Sequence, residues 1–175
     1  MNGPLAEGLT ALRSAGRKAL IPYVTAGLEG VDAAFLRSLE SAGADAIEIG
    51  IPFSDPVMDG PVIQEASRRA LQAGATPAMA LDLVRSATLG VPPAIMTYLN
   101  PVLARGPAGF AADAVIAGVA GIIVPDLPVD EANEWLEVCA VAALEPIFLA
   151  APNSSPERLR RVAAASKGFV YCVST

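Results

Sequence analysis

An α/β domain whose parallel strands curl into a barrel behind a coat of helices is the fold this sequence predicts, on three observations. Short apolar runs alternate with amphipathic stretches along the whole chain, the pattern of repeated βα units. The runs Ile122-Ile123-Val124-Pro125 and Pro146-Ile147-Phe148-Leu149-Ala150 are apolar on both faces, as strands covered by helices must be. The first βα turn, Thr25-Ala26-Gly27-Leu28, lacks the GxGxxG phosphate loop expected of a doubly wound open sheet, which the alternation alone would also fit.

The elements follow in order. An opening helix is expected from about Leu5 to Ser14, then a strand over Ala19 to Thr25. A helix from Val31 to Ala42 places Phe35, Leu36 and Leu39 on one face with Arg37 and Glu40 turned away. Asp45 to Ile49 reads as the second strand, left by a loop from Pro52 to Pro61. Two helices follow, Val62 to Ala73 and Pro77 to Leu89, the second opened by Thr76 as N-cap with proline at its first position. Ala94 to Leu99 is strand three. A helix near Pro107 to Ala117 leads to strand Gly121 to Val124, and a helix Glu131 to Leu144 leads to strand Pro146 to Leu149. Ser155-Pro156-Glu157 starts a last helix to Ala165, before strand Phe169 to Val173. Six strands of one βα series result, with no linker or internal boundary.

Composition bounds the chemistry. Apolar residues are 53% of the 175 and charged ones 17%, so the chain can bury enough surface to order itself. The net charge of -6 without a lysine or arginine run argues against nucleic acid and anionic membrane surfaces. No apolar run is long enough to span a bilayer, and the first eight residues do not read as a secretory signal; a cytoplasmic location is expected. There is no histidine, and Cys139 and Cys172 stand far apart. That removes histidine-based triads and makes a zinc site unexpected. Proton transfer falls to carboxylate, lysine, tyrosine or water.

Glu48 is the most informative residue. Within Ala46-Ile47-Glu48-Ile49-Gly50, alternation turns both isoleucines to the helix layer and the carboxylate into the barrel. Desolvation there raises its pKa and suits it to acid–base work at the C-terminal ends of the strands. The alternative is an ion pair with a lysine or arginine of a neighbouring strand, and the likely neighbours supply none. Asp59, just before Gly60-Pro61, either caps the next helix or pairs with Glu48 in a divided acid–base role. Asp126 in Val124-Pro125-Asp126-Leu127-Pro128 reads as a turn residue. Tyr23, Tyr98 and Tyr171 fall near strand ends, where they serve as core packing or line a pocket for a flat ligand.

The stretch Asp45-Ala46-Ile47-Glu48-Ile49-Gly50-Ile51-Pro52-Phe53-Ser54-Asp55-Pro56, continuing Asp59-Gly60-Pro61-Val62-Ile63-Gln64, resembles the signature of tryptophan synthase alpha subunits. Ile21-Pro22-Tyr23-Val24-Thr25-Ala26-Gly27, Met96-Thr97-Tyr98-Leu99-Asn100-Pro101, Val124-Pro125-Asp126-Leu127-Pro128, Ala151-Pro152-Asn153 and Gly168-Phe169-Val170-Tyr171 extend the likeness over essentially the whole chain. The resemblance implies a TIM (β/α)8 barrel, with about six of eight units in residues 1–175. It implies cleavage of indole-3-glycerol phosphate to indole and glyceraldehyde 3-phosphate, with Glu48, Asp59 and Tyr171 catalytic and Tyr23, Met96, Ile123 and Leu149 lining the indole pocket. The alpha subunit is expected to need no cofactor, pyridoxal phosphate belonging to the partner beta subunit. The loops with Asp55-Pro56 and Asn100-Pro101 would dock that partner in a hetero-tetramer of two alpha and two beta chains.

The same resemblance places a glycine-rich loop and two further strands, with the phosphate site, after Thr175. Residues 1–175 are then expected to form a single barrel domain without the phosphate-binding units, with exposed edges at strands one and six and impaired turnover. A non-catalytic remnant that binds the beta subunit is the alternative. Another phosphate-sugar barrel enzyme would want a Schiff-base lysine at a strand end, and Lys18 and Lys167 are not so placed.

Overall fold

The computed structural model describes residues 3–173. Helix α1 (Pro4–Ser14) leads to strand β1 (Tyr23–Thr25), α2 (Ala33–Ser41), β2 (Ile47–Gly50), the consecutive helices α3 (Pro61–Gln72) and α4 (Pro77–Ala87), and β3 (Pro93–Met96). Then come α5 (Leu99–Arg105), α6 (Pro107–Ile116), β4 (Gly121–Ile123), a 3-10 turn (Val129–Glu131), α7 (Asn133–Ala142), β5 (Glu145–Ile147), β6 (Leu149–Ala150), α8 (Pro156–Ala165) and β7 (Tyr171–Cys172). Every strand pairing is parallel, in the order β1-β2-β3-β4-β5, with β6-β7 as a second, two-stranded sheet.

Two apolar layers result from the period-two alternation of the strands. Ile47, Ile49, Ile95 and Ile122 point outward against Leu36, Leu81, Val84 and Phe110 of the helix coat. Ala46, Ala94, Met96, Ile123 and Ile147 point inward, around Leu5 of α1. Burying each isoleucine contributes roughly 1.5–3 kcal/mol. Small inward residues leave room for α1 at the bottom of the barrel: a Cβ on Gly121 would come within 2.8 Å of Leu5 Cδ2. Helix α1 is fixed there by Glu145, whose carboxylate accepts the N–H of Leu5 at 2.8 Å and of Ala6 at 2.9 Å.

Local capping chemistry sets the helix starts. Asp32 accepts Phe35 N–H at 2.8 Å, Thr76 Oγ1 accepts Met79 N–H at 3.3 Å and Ser155 Oγ accepts Arg158 N–H at 3.2 Å. The structure departs from expectation where distant partners decide. Strand three ends at Met96 rather than Leu99, because Asp126 accepts the Leu99 N–H at 2.9 Å and starts the unforeseen α5. The expected strand Pro146 to Leu149 is interrupted at Phe148: its first half pairs with β4 and its second with β7. Phe35 is 38% exposed rather than on the buried face. Arg37 is exposed, as expected, and donates to Ala87 O at 3.3 Å, while half-buried Glu40 accepts the Gly90 N–H at 2.9 Å. Among the described residues β1 and β7 each have a strand neighbour on one side only.

Candidate functional site

The C-terminal ends of the strands surround a cavity of about 380 Å³. Tyr23 from β1, Met96 from β3, Ile123 from β4, Leu149 from β6 and Tyr171 from β7 line it, with Asp59 and Gly60 from the loop after β2. All four residues expected around an indole ring therefore meet in one space, together with two of the three expected catalytic side chains. Glu48, the third, is not among the residues that line it. It is 4% exposed, and its Oε1 is the one buried side-chain polar atom without a hydrogen-bond partner among the described residues.

No cation neutralises Glu48, and the ion-pair alternative fails: none of the ion pairs among the described residues includes it. Burial, and then the negative charge of Asp59, push its pKa up to about 7. An acid at that value populates both protonation states near neutral pH, which is what a group that must give and take a proton requires.

Asp59 does not cap α3. The cap position is Gly60, and no side chain bonds the first helical N–H groups. Its carboxylate borders the cavity, its pKa raised by partial burial and pulled back by the neighbouring Tyr98 hydroxyl. The loop that carries it is fixed by its own prolines and by neighbours. Asp59 N–H donates to Pro56 O at 3.0 Å, Gln64 Nε2 donates to Asp59 O at 2.9 Å, and Met58 N–H donates to the Tyr98 hydroxyl at 2.9 Å. Tyr98 thus follows the first of the two readings open for the tyrosines, core packing, and is no pocket wall. It is 3% exposed and stacks on Phe53 with ring centroids 5.0 Å apart. Burial raises the phenol of Tyr171, and that of Tyr23 to about 12, with the charges of Glu48 and Asp59 adding to both.

Sequence reasoning missed Met58, Ile63, Pro125, Cys172 and Val173, which also line the cavity. It also missed Thr25, whose Oγ1 donates to the Tyr23 hydroxyl at 3.4 Å. Alternation could have found Thr25, two residues from Tyr23 on the same strand face. A separate groove of about 620 Å³ runs between Pro52–Ser54 and Asn100-Pro101; of the two loops where the resemblance sets partner docking, Asn100-Pro101 lines it and Asp55-Pro56 does not. No lysine or arginine lines the cavity. The described residues contain no cluster able to hold a metal ion, and no helix among them is long and apolar enough to cross a membrane.

The sequence pattern of the family described as "Tryptophan synthase alpha chain" matches residues 9–175. The tryptophan synthase alpha chain of Alkalilimnicola ehrlichii is 47% identical over 175 residues, covering 97% of this chain and 64% of the relative. That of Laribacter hongkongensis is 47% identical over 173 residues, covering 96% and 66%. Among solved structures, Mycobacterium tuberculosis tryptophan synthase superposes with a TM-score of 0.94 at 41% identity, covering 100% of this chain and 69% of the other. The tryptophan synthase complex of Pyrococcus furiosus gives 0.84 at 42% identity, covering 88% and 65%. The chain spans 64% of the first relative's length and 66% of the second's.

Proposed function

Because the chain belongs to the tryptophan synthase alpha chain family, we propose that its cavity carries the acid–base pair for cleaving indole-3-glycerol phosphate to indole and glyceraldehyde 3-phosphate. The observation that carries this reading is Glu48: a buried carboxylate on a barrel strand, with an unpartnered oxygen and a pKa of about 7, beside an apolar cavity.

The bond to be broken joins the indole C3 carbon to the glycerol side chain. Cleavage needs a proton delivered to C3 and a proton removed from the hydroxyl on the adjacent side-chain carbon, whose electrons form the new aldehyde as the carbon–carbon bond opens. Glu48 does both in turn. Protonation at C3 places positive charge on the indole nitrogen, and Asp59 stabilises it as a fixed anion. Tyr23, Met96, Ile123 and Leu149 hold the ring, and Tyr171 borders the reacting carbon. The chemistry calls on no cofactor in this chain.

No lysine or arginine lines the cavity, and barrels of this kind place phosphate sites at their last βα loops. Binding energy from a remote phosphate supports the chemical step as well as affinity, so with no basic residue lining the cavity these 175 residues tested alone are expected to turn over weakly. The groove between Pro52–Ser54 and Asn100-Pro101 is the surface we assign to a tryptophan synthase beta subunit. It sustains a second reading, in which the chain acts only by binding that partner. A retro-aldol assay on the 175-residue chain, alone and with beta subunit, separates the two. Indole release that disappears in Glu48→Gln supports catalysis. Stimulation of the beta reaction with no indole release, wild type and variant alike, supports docking alone.

A further inference from the structure

Tyr23 leans from β1 across β2. A Cβ built on Gly50 would overlap its hydroxyl and lie 2.6 Å from its Cζ, so the phenol fills the space where any other residue would carry a side chain. Thr25 shares one hydrogen bond with that hydroxyl, at 3.4 Å. Two hydroxyls joined by one hydrogen bond have one proton left over, and no acceptor takes it among the described residues. Glu48 is the cross-strand partner of Tyr23 in the β1–β2 register, and it carries the opposite deficit, a buried oxygen with no donor.

A carboxyl that alternates between acid and base needs a neighbour able to follow it. Lysine or arginine only donates and would hold the group ionised; a second carboxylate only accepts. A hydroxyl pair rotates to do either. We propose that Tyr23 and Thr25 form a two-way positioning pair for Glu48, donating the spare proton to the carboxylate when it is ionised and accepting from it when it is protonated. The other titratable groups facing Glu48 are Asp59 on the loop after β2 and Tyr171 on β7, and neither is a cation. Gly50 belongs to the device, because only a residue without a Cβ lets the phenol lie there. The inference rests on Glu48 as the acid–base group.

The test titrates the Glu48 side chain directly, by carboxyl NMR of the chain labelled at glutamate carbons, so that it does not depend on turnover. Tyr23→Phe keeps the ring and removes the proton; Thr25→Val keeps the shape and removes the partner; Thr25→Ser keeps both functions. The Glu48 midpoint is expected to rise by about half a unit to one unit in Tyr23→Phe, as loss of one hydrogen bond to the charged form requires. The rise should be smaller in Thr25→Val and absent in Thr25→Ser. Where cleavage is measurable, the limb of the kcat profile set by Glu48 should move with the midpoint. An unmoved or lowered midpoint in both Tyr23→Phe and Thr25→Val overturns the positioning pair. Cleavage that survives in Glu48→Gln overturns the acid–base reading instead.

Discussion

Two buried glutamates, Glu48 and Glu145, sit on strands of the same sheet at 4% and 3% exposure. They end in opposite states. Glu145, at the start of β5, gives both oxygens to the first-turn N–H groups of α1, where the helix end is positive and its donors have no helical partner. Glu48, near the end of β2, has an oxygen that nothing satisfies. Burial of a carboxylate therefore does not tell a site from a strut; the presence of its donors does. The two fall on the faces where barrels of this kind separate stability from chemistry.

The comparison breaks most visibly in activity. Glu48→Gln is expected to lower cleavage by ~10³-fold, while Glu145→Gln leaves the per-folded-molecule rate within a few fold; equal losses in both would erase the distinction. The next effect is a pH dependence of stability. The folded pKa of Glu48, about 7, lies above its ordinary value of 4.5, so the folded state holds the proton more tightly than the unfolded chain. The stability this brings is complete below pH 4.5 and is lost as pH rises through 7. Roughly 3 kcal/mol is at stake, read as a fall in the urea midpoint between those limits that Glu48→Gln should flatten.

Glu145→Ala removes two charge-assisted hydrogen bonds and should lower unfolding free energy by about 3 kcal/mol, measured by urea titration at neutral pH. Gly3→Ala asks the same question more gently. Its Cβ would stand 2.6 Å from Glu145 Oε2, so the carboxylate must shift off the α1 amides, at about 1 kcal/mol. Thr76→Ala, which removes one exposed cap far from both glutamates, should also lose about 1 kcal/mol or less, with no change in any pH profile.

Glu48 was legible because alternation along five residues fixes which way a side chain points. Thr76 and Ser155 were legible because capping is decided within four residues. Glu145 was not: the amides it bonds lie 140 and 139 residues away, and next to Pro146 it reads as a strand boundary. Helix α5 was hidden for the same reason, its first N–H being held by Asp126, 27 residues on. The four apolar cavity residues came from family likeness rather than from pattern, since Met96 or Ile123 looks like any core residue until its empty neighbour is seen. For Tyr98 both readings stayed open, because a tyrosine at a strand end reads the same whether it faces a ligand or, as here, braces a loop against Phe53.

The interruption at Phe148 bears on how this molecule breathes. Tyr23, Met96 and Ile123 belong to the five-stranded sheet, whereas Leu149 and Tyr171 belong to the two-stranded one. Phe148 sits at the seam, its N–H held by Ser166 Oγ at 3.1 Å and its carbonyl by Tyr171 N–H at 3.0 Å, while Lys167 N–H bonds Pro146 O at 2.7 Å beside it. The walls of the cavity are thus borne on two sheets that share one apolar layer, and amide exchange should release Tyr171 and Val173, on the shorter sheet, before Ile95 or Ile122. A ligand spanning the seam would stitch the sheets together, slowing exchange on the smaller one first.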